Sequence, residues 1–587
     1  MGEHIMSYDV IVVGAGLAGI TATNELAIHG KKVLLLDQEP EVSLGGQAYW
    51  SFGGLFLVNS PEQRRMRIKD SKALAWQDWL GTAGFDRPED KWGKKWAKAY
   101  INFASQEKRT WLHKMGVRFF PVVGWAERGG YLADGHGNSV PRFHITWGTG
   151  PGLIEPFVKQ LYKHIEQNLV TYLPRHRVDE IIKDEEKVVG VRGSILAPSN
   201  IKRGEKSNRN VIDKFKFFGK NVLIASGGIG GNFDLIRKNW PKHLGEPPKR
   251  MISGVPAHVD GRMLAITEAV GGRIINRDRM WHYTEGIKNW HPIWPKHGIR
   301  ILPGPSSIWL DAEGNRFPAP NFPGFDTLGT LETIQKTGYD YSWFILTQSI
   351  IEKEFALSGS EQNPDLTGKS IKQVLGRIRP GAPKPVQAFM DYGEDFMIAD
   401  TIDELVTDMN KLTGEDLLDV THIKQQIEAR DREMNNKFTK DLQITALRGA
   451  RHYLGDKLIR VAKPHKILDP KHGPLIGVRL NILSRKTLGG LQINLSGQVL
   501  NSEEKPISGL YAAGEVTGFG GIHGYRSLEG TFLGGLPLYW TCRRTGNCSR
   551  KITLHCRERI IDLFSALLCR QFMNKTCESY ACVPFIS

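Results

Sequence analysis

Cysteine is missing from the first 541 residues of this 587-residue chain. All six cysteines lie between Cys542 and Cys582, and no two form a C-x-x-C pair. Neither a cysteine-ligated zinc site nor a redox dithiol can therefore be built in the body of the protein, and since no His/Asp/Glu cluster has convincing metal spacing, no metal site is expected. Long apolar runs are lacking too: no uncharged stretch reaches the roughly 18–20 residues that a membrane helix needs. The start, Met1 to Met6, carries no cationic segment, and the apolar stretch Val10–Ile20 contains glycines and no cleavage pattern. A signal peptide is thus excluded, and a cytoplasmic protein is expected. Helix-turn-helix, RNA-binding and zinc-finger signatures are absent, as is Gly-x-Ser-x-Gly, so nucleic acid is not an expected partner.

The composition, 40% hydrophobic and 24% charged, is that of a globular chain long enough for several layers of core. The net charge of +16 favours an anionic small molecule, either a carboxylate substrate or a phosphate-bearing cofactor.

The strongest local signal opens the chain. Tyr8-Asp-Val-Ile-Val-Val-Gly-Ala-Gly-Leu-Ala-Gly19 is a buried strand, a G-x-G-x-x-G turn and the start of a helix. In that turn Gly14, Ala15, Gly16, Ala18 and Gly19 let a pyrophosphate approach the backbone at a helix N-terminus. A second strand, Lys32–Leu36, ends in Asp37 and Gln38, and a carboxylate there can accept both ribose hydroxyls of an adenosine. FAD and NAD remain undistinguished at this point. Two later strands also run into glycines: Val222-Leu-Ile-Ala-Ser-Gly-Gly-Ile-Gly-Gly231 and Leu510-Tyr-Ala-Ala-Gly-Glu-Val516. A chain whose two ends return to one nucleotide suits FAD, whose length must be gripped along several segments.

These segments, with Leu44-Gly-Gly-Gln-Ala-Tyr-Trp-Ser-Phe-Gly-Gly54, Thr487-Leu-Gly-Gly-Leu491 and His523-Gly-Tyr-Arg-Ser-Leu-Glu-Gly530, resemble a known flavoprotein family. It is the family of fumarate reductase, succinate dehydrogenase, L-aspartate oxidase and 3-ketosteroid Δ1-dehydrogenase, and the closest resemblance is to its branch of FAD-binding dehydrogenases. The resemblance implies that Asp37 binds the adenine ribose and that Gly45, Gly46 and Gln47 lie against the pyrophosphate and flavin. It implies backbone contacts from Val178 to adenine, an approach of Ala225, Ser226 and Gly227 to the adenosine half, and ribitol contacts from Glu515. Gly53, Gly54, Asp260, Gly514, Gly530 and Thr531 complete the expected cofactor set. Members with covalent FAD have a histidine where this chain has Gln47, so the resemblance implies non-covalent FAD. Fumarate reductases place a histidine before the segment matching Thr487, where this chain has Ser484, Arg485 and Lys486.

The expected fold is α/β: a Rossmann-like FAD-binding domain, with a parallel sheet, helices and a small β meander, interrupted by an α+β capping domain. Its parts would be 7–270 and 441–541, with the cap at 271–440 and a cysteine-rich tail at 542–587. Arg64–Gly116 reads as helical, Val170–Lys220 as short β segments, Ser306–Arg316 as strand–turn–strand, Thr421–Phe438 as an amphipathic helix and Pro380–Pro385 as a stiff loop.

The absence of a dithiol leaves direct exchange between flavin and a substrate carbon as the chemistry, with a proton moved beside it. His523, Tyr525, Arg526 and Glu529 follow the last cofactor strand. Tyr525 resembles the ketosteroid dehydrogenase tyrosine that holds a keto oxygen, and packing is its bland alternative. Arg526 either binds a carboxylate or bridges to Glu529, and His523 either polarises the flavin or satisfies backbone. In the cap, Tyr341 of Tyr339–Trp343, expected before an apolar helix, is a candidate proton acceptor or a packing aromatic. Arg142, His144 and Arg316 resemble family residues near the flavin and in the cap.

After Gly535 the chain reads Leu-Pro-Leu-Tyr-Trp-Thr-Cys-Arg-Arg where the family has a helix of small residues. Permitted codons read one base later restore Gly-Leu-Ala-Ala-Gly-Arg, so a frameshift near Gly535 is inferred. The expected function is an FAD-dependent dehydrogenase or reductase acting on a CH–CH bond beside a carbonyl, with a small steroid-like or other carbonyl substrate and an unnamed electron acceptor. Its rivals are a fumarate-reductase-like enzyme and an FAD-free pseudoenzyme.

Overall fold

The computed structural model describes residues 8–129, 137–377, 380–526 and 530–535. The inferred frameshift region, all six cysteines and Glu529 lie outside the described residues. The elements used below are β1 (Tyr8–Val13), α1 (Leu17–Ile28), β2 (Val33–Leu36), β3 (Val211–Ile224), β4 (Met280–Lys288), α2 (Thr327–Lys336), β5 (Leu475–Thr487) and β6 (Pro506–Ala512).

Two large sheets organise the chain. In the first, the parallel neighbours β6, β3, β1, β2 and Val170–Leu173 form the nucleotide-binding layer. Its strands are apolar and buried on both faces, as a parallel sheet covered by helices requires. The 14-residue β3 belongs to two structures at once. Its first half pairs antiparallel with Lys187–Leu196, which pairs with His176–Asp184, and this is the meander. Its second half pairs parallel with β1, matching Tyr8 to Gly219 and Val13 to Ile224. The strands from 176 to 224 are longer than the short segments expected. The polar run Ser199–Asn210 is the loop between two of them.

The second sheet runs in the order Ile308–Leu310, Tyr341–Thr347, β5, β4, Gly298–Leu302 and Ala356–Leu357. Its central strand, β5, comes from beyond residue 440 and pairs with four partners, one of them Ile252–Ser253 from before residue 271. Tyr341–Thr347 is a fully buried strand rather than the approach to an apolar helix. Seven residues suit a strand better than a helix, and they include the β-formers Tyr, Trp, Phe, Ile and Thr. The expected loop at Pro380–Pro385 yields to a helix from Lys384, whose first turn accommodates Pro385. Among the described residues no helix is long and apolar enough to cross a membrane.

Gly54–Phe56, Phe143–Thr146 and Phe119–Gly124 form a separate three-stranded sheet with Phe143–Thr146 in the middle. Arg142, expected near the flavin, is instead fully buried here and holds Asp70 at 2.8 Å and Asp78 at 2.5 Å. His144 beside it bonds Ser60 Oγ at 2.7 Å and the Arg142 carbonyl at 2.8 Å. Both are structural. Replacing Arg142 with Met strands two buried carboxylates, a loss of about 3–5 kcal/mol. Urea unfolding of the variant should show a correspondingly lower midpoint, and an unchanged midpoint would refute the role.

Candidate active site: a dinucleotide cleft and its aromatic end

The carboxyl ends of β1, β2, β3 and β6 converge on a cleft of about 1070 Å³ that is open to solvent. This is where an open α/β sheet binds its ligand. Gly14, at φ 109°, makes the turn out of β1, and a Cβ there would lie 2.5 Å from the Ala225 carbonyl oxygen. Gly16 forms the N-cap of α1, with no side-chain cap and no acidic residue in the first turn. A Cβ on Gly16 would meet nothing within 4 Å, so the start of the helix faces open space. Free N–H groups and the positive end of the helix dipole there match a pyrophosphate.

Asp37 closes the turn after β2. Its carboxylate accepts from Ala15 N at 2.6 Å and Glu39 N at 2.8 Å. Burial pushes its pKa above the ordinary carboxylate value, against the lowering effect of those N–H groups. Gln47 donates to Glu515, which also accepts from Thr487 N at 2.9 Å, and Lys486 Nζ donates to Gln47 at 3.3 Å. The two ends of the chain are thus joined across the cleft.

Of the expected cofactor residues, Gly14, Gly16, Ala18, Asp37, Gln38, Gly45, Gly46, Gln47, Val178, Ala225, Ser226, Gly227, Asp260 and Glu515 line the cleft. Ala15, Gly19, Gly53, Gly54, Gly514, Gly530 and Thr531 are not part of its wall and act behind it. A Cβ on Gly19 would stand 1.9 Å from the Gly14 carbonyl oxygen, and the Gly530 carbonyl accepts from Phe56 N at 2.7 Å. Lys486, noted in the sequence just before Thr487, is on the wall, whereas sequence reasoning missed four other cationic or imidazole side chains there: His176, Arg177, His258 and Arg262. They come from separate segments without a motif. The basic net charge was their only sequence signal.

The far end of the cleft is aromatic. Phe519, Phe532 and Leu533 line it. Phe519 sits at φ 57°, ψ 34°, a left-handed conformation costly for a bulky residue and held here among glycines. The Phe532 ring packs 4.6 Å from His523, 5.1 Å from Phe519 and 5.0 Å from Trp281 of β4. His523 is fully buried; burial first, then Lys486, lowers its pKa to about 3, so its ring is neutral. Its Nε2 bonds Thr531 Oγ1 at 2.7 Å, and its Nδ1 has no partner among the described residues.

None of the expected catalytic residues is on the cleft wall itself; His523 packs behind Phe532. Tyr525 bonds His243 and lines a separate small pocket with Leu244, Met280, His282 and Leu331. Arg526 is ion-paired with Asp326 at 3.4 Å and lies 3.8 Å from Glu332 of α2. It therefore ties the last cofactor segment to the cap. Asp326 caps α2, whose Thr327 donates to Glu285 at 3.0 Å, and Arg300 links Glu285 to Glu127. Tyr341 is buried in the cap core and donates to Glu415 at 2.9 Å. It is not on the cleft wall, and burial together with Glu415 raises its pKa above the ordinary value. Arg316 pairs with Asp441 at 2.7 Å, away from the cleft.

A cleft lined from both ends of the chain, with an uncapped helix N-terminus, open space above Gly16 and Asp37 at the end of β2, fits FAD. The comparisons agree. A family model described as an FAD binding domain matches residues 9–533.

The chain belongs to that family.

It is 61% identical over 527 residues to a KsdD-like steroid dehydrogenase of Mycolicibacterium smegmatis, covering 89% of this chain and 96% of that one. It is 60% identical over 533 residues to a KsdD-like steroid dehydrogenase of Mycobacterium tuberculosis, covering 90% and 94%. Its fold is like that of 3-ketosteroid Δ1-dehydrogenase from Sterolibacterium denitrificans, with a TM-score of 0.63 at 17% identity over 91% and 98% of the two chains. A flavocytochrome c3 fumarate reductase aligns with a TM-score of 0.57 at 20% identity, covering 92% and 77%. The chain is an FAD-dependent oxidoreductase.

Two outcomes follow from the site. Asp37→Ala should weaken FAD binding about 10- to 100-fold, the value of a lost charge-assisted hydrogen bond pair; flavin absorbance per purified chain reads this directly, and full occupancy would refute the assignment. His282, with both ring nitrogens unpartnered among the described residues, is held neutral by burial, its pKa lowered to about 4. Unfolded, it takes a proton near pH 6.5, so it removes stability as pH falls below that value, about 2 kcal/mol at pH 5. The stability of His282→Phe relative to the parent should accordingly rise by that amount between pH 7.5 and pH 5. A pH-independent difference would count against it.

Proposed function

We propose that this enzyme desaturates a carbon–carbon bond next to the ketone of a steroid-like substrate, or runs the reverse ene-reduction, with FAD held non-covalently. The observation that carries the reading is 61% identity, over nearly the whole of both chains, to a protein named as a steroid dehydrogenase. The character of the site supports it. The cleft ends on Phe519, Phe532 and Leu533, a surface that accepts flat apolar rings. The arginine best placed in sequence to clamp a dicarboxylate, Arg526, is instead engaged by Asp326. The relatives named as fumarate reductases are only 22–25% identical.

When bound, FAD supplies the hydride acceptor or donor. The chain's own residues hold the cofactor and exclude water. Asp37 and Glu515 fix the two ends of the cleft, α1 faces the phosphates, and the aromatic wall keeps the far end dry. Of the residues expected to act on substrate, His523 is the one whose ring abuts that wall. Its neutral ring has one nitrogen, Nδ1, with no partner among the described residues, and we assign that atom to hydrogen-bonding the substrate's carbonyl oxygen. Gln47, where covalent members have histidine, supports non-covalent attachment.

The decisive experiment begins with the absorption spectrum of the purified chain before and after acid precipitation. Flavin released into the supernatant is expected; flavin pelleting with protein would refute non-covalent binding, and a colourless chain would favour the pseudoenzyme. The holoenzyme is then assayed on a 3-ketosteroid with an artificial acceptor, and on fumarate with reduced dye. Steroid turnover without fumarate reduction is expected, and the opposite result would favour the fumarate-reductase-like reading. His523→Leu should lower kcat about 100-fold with flavin retained.

A further inference from the structure

Between Met434 and Lys466 the chain runs through two short helices, Leu442–Ala450 and Leu454–Ile459. Each buries part of its surface, with Ile444 and Leu447 fully inside. Their outward positions carry large apolar side chains that are far from covered. Phe438 is 88% exposed, Leu442 and Leu454 60% each, Leu458 57% and Ile459 40%. Leu454 and Leu458 are four residues apart and so stand on the same side of their helix.

The charges around them are of one sign. Lys437, Lys440, Lys457, Lys463 and Lys466 are exposed. The segment's acidic residues, Asp441 and Asp456, are turned to Arg316 and Arg128 at 2.7 Å and 3.0 Å. The helix at Leu454 is held in place by Lys353, which donates to the Leu458 carbonyl, and by Arg451 and Arg460, which donate to the carbonyls of Val461 and Leu302. The protruding leucines are therefore presented by a fixed support.

A second copy of the chain is a poor occupant, since two-fold symmetry would set lysine against lysine across the contact. An anionic lipid surface matches both features: the acyl boundary takes up leucine and phenylalanine side chains while the headgroups attract the surrounding lysines. We infer that this helical pair docks the enzyme on the surface of an anionic bilayer, without crossing it. The docking goes beyond the proposed reaction and does not depend on it. If the substrate is steroid-like, the surface also brings the enzyme to where an apolar substrate partitions.

The test is flotation of the full-length chain with vesicles of phosphatidylcholine alone or mixed with phosphatidylglycerol, at low and high salt. Binding is expected only to the mixed vesicles and should weaken as salt rises. The double variant Leu454→Ser, Leu458→Ser should lower the partition coefficient about tenfold or more, and Lys457→Glu with Lys463→Glu should do the same. These side chains are exposed, so unchanged circular dichroism and thermal midpoint confirm that the variants fold. Absence of binding to anionic vesicles overturns the inference, as does binding that survives both variants. Light scattering that shows a dimer abolished by the leucine substitutions would assign the face to a second copy and overturn it too. None of these readouts involves turnover, so failure of the proposed reaction leaves the result standing.

Discussion

The close approach of α1 to the turn after β1 is the constraint on which the cofactor cleft rests. A methyl group on Gly19 would sit 1.9 Å from the Gly14 carbonyl oxygen, far inside any contact distance. Only hydrogen at that position lets the helix lie against the strand. With the helix seated there, its N-terminus points past Gly16 into the space between the ends of β1, β2 and β3. Asp37 then reaches back to Ala15 N, and Gly45 N donates to the Ala15 carbonyl at 2.9 Å, so the loops around the turn are all registered to the same atoms. A displacement of α1 would open every one of these contacts together.

Two buried arginines elsewhere in the molecule are matched by carboxylates in place. Arg142 satisfies two aspartates in a dry core, and Arg300 does the same for Glu127 and Glu285 at the cap. Such pairs add little net stability when intact but are costly to break, and they fix geometry. Arg526 extends this logic between domains. Its charge is neutralised by Asp326, the residue that also caps α2.

How much of this was legible in the sequence follows a physical rule. Residues that meet a ligand through their backbone must be small, so Gly14, Gly16, Gly45 and Gly227 leave a readable glycine signature, and Asp37 and Glu515 stand at strand ends that glycines mark. Residues that reach the same cleft with long side chains carry no such restriction. His176 and Arg177 come from the meander, and Arg262 from a helix, at spacings set by tertiary folding alone. The aromatic segment around Tyr341 was misread because its burial on both faces erases the alternation that distinguishes a strand. β5 left no separate signal because its end carries the family glycine motif while its beginning pairs within the second sheet. Local pattern identifies a segment's ends better than the company its middle keeps.

That same strand has a mechanical meaning. β5 spans 13 residues, roughly 43 Å of extended backbone at ~3.3 Å per residue. One end is clamped between Tyr341–Thr347 and Phe396–Ala399, and the other delivers Thr487 N to Glu515 at the cofactor cleft. The cap is therefore not a lid on a flexible tether. The same continuous strand joins the cap sheet to the wall of the cleft, so the two are linked by backbone hydrogen bonds along its length and not by a loop.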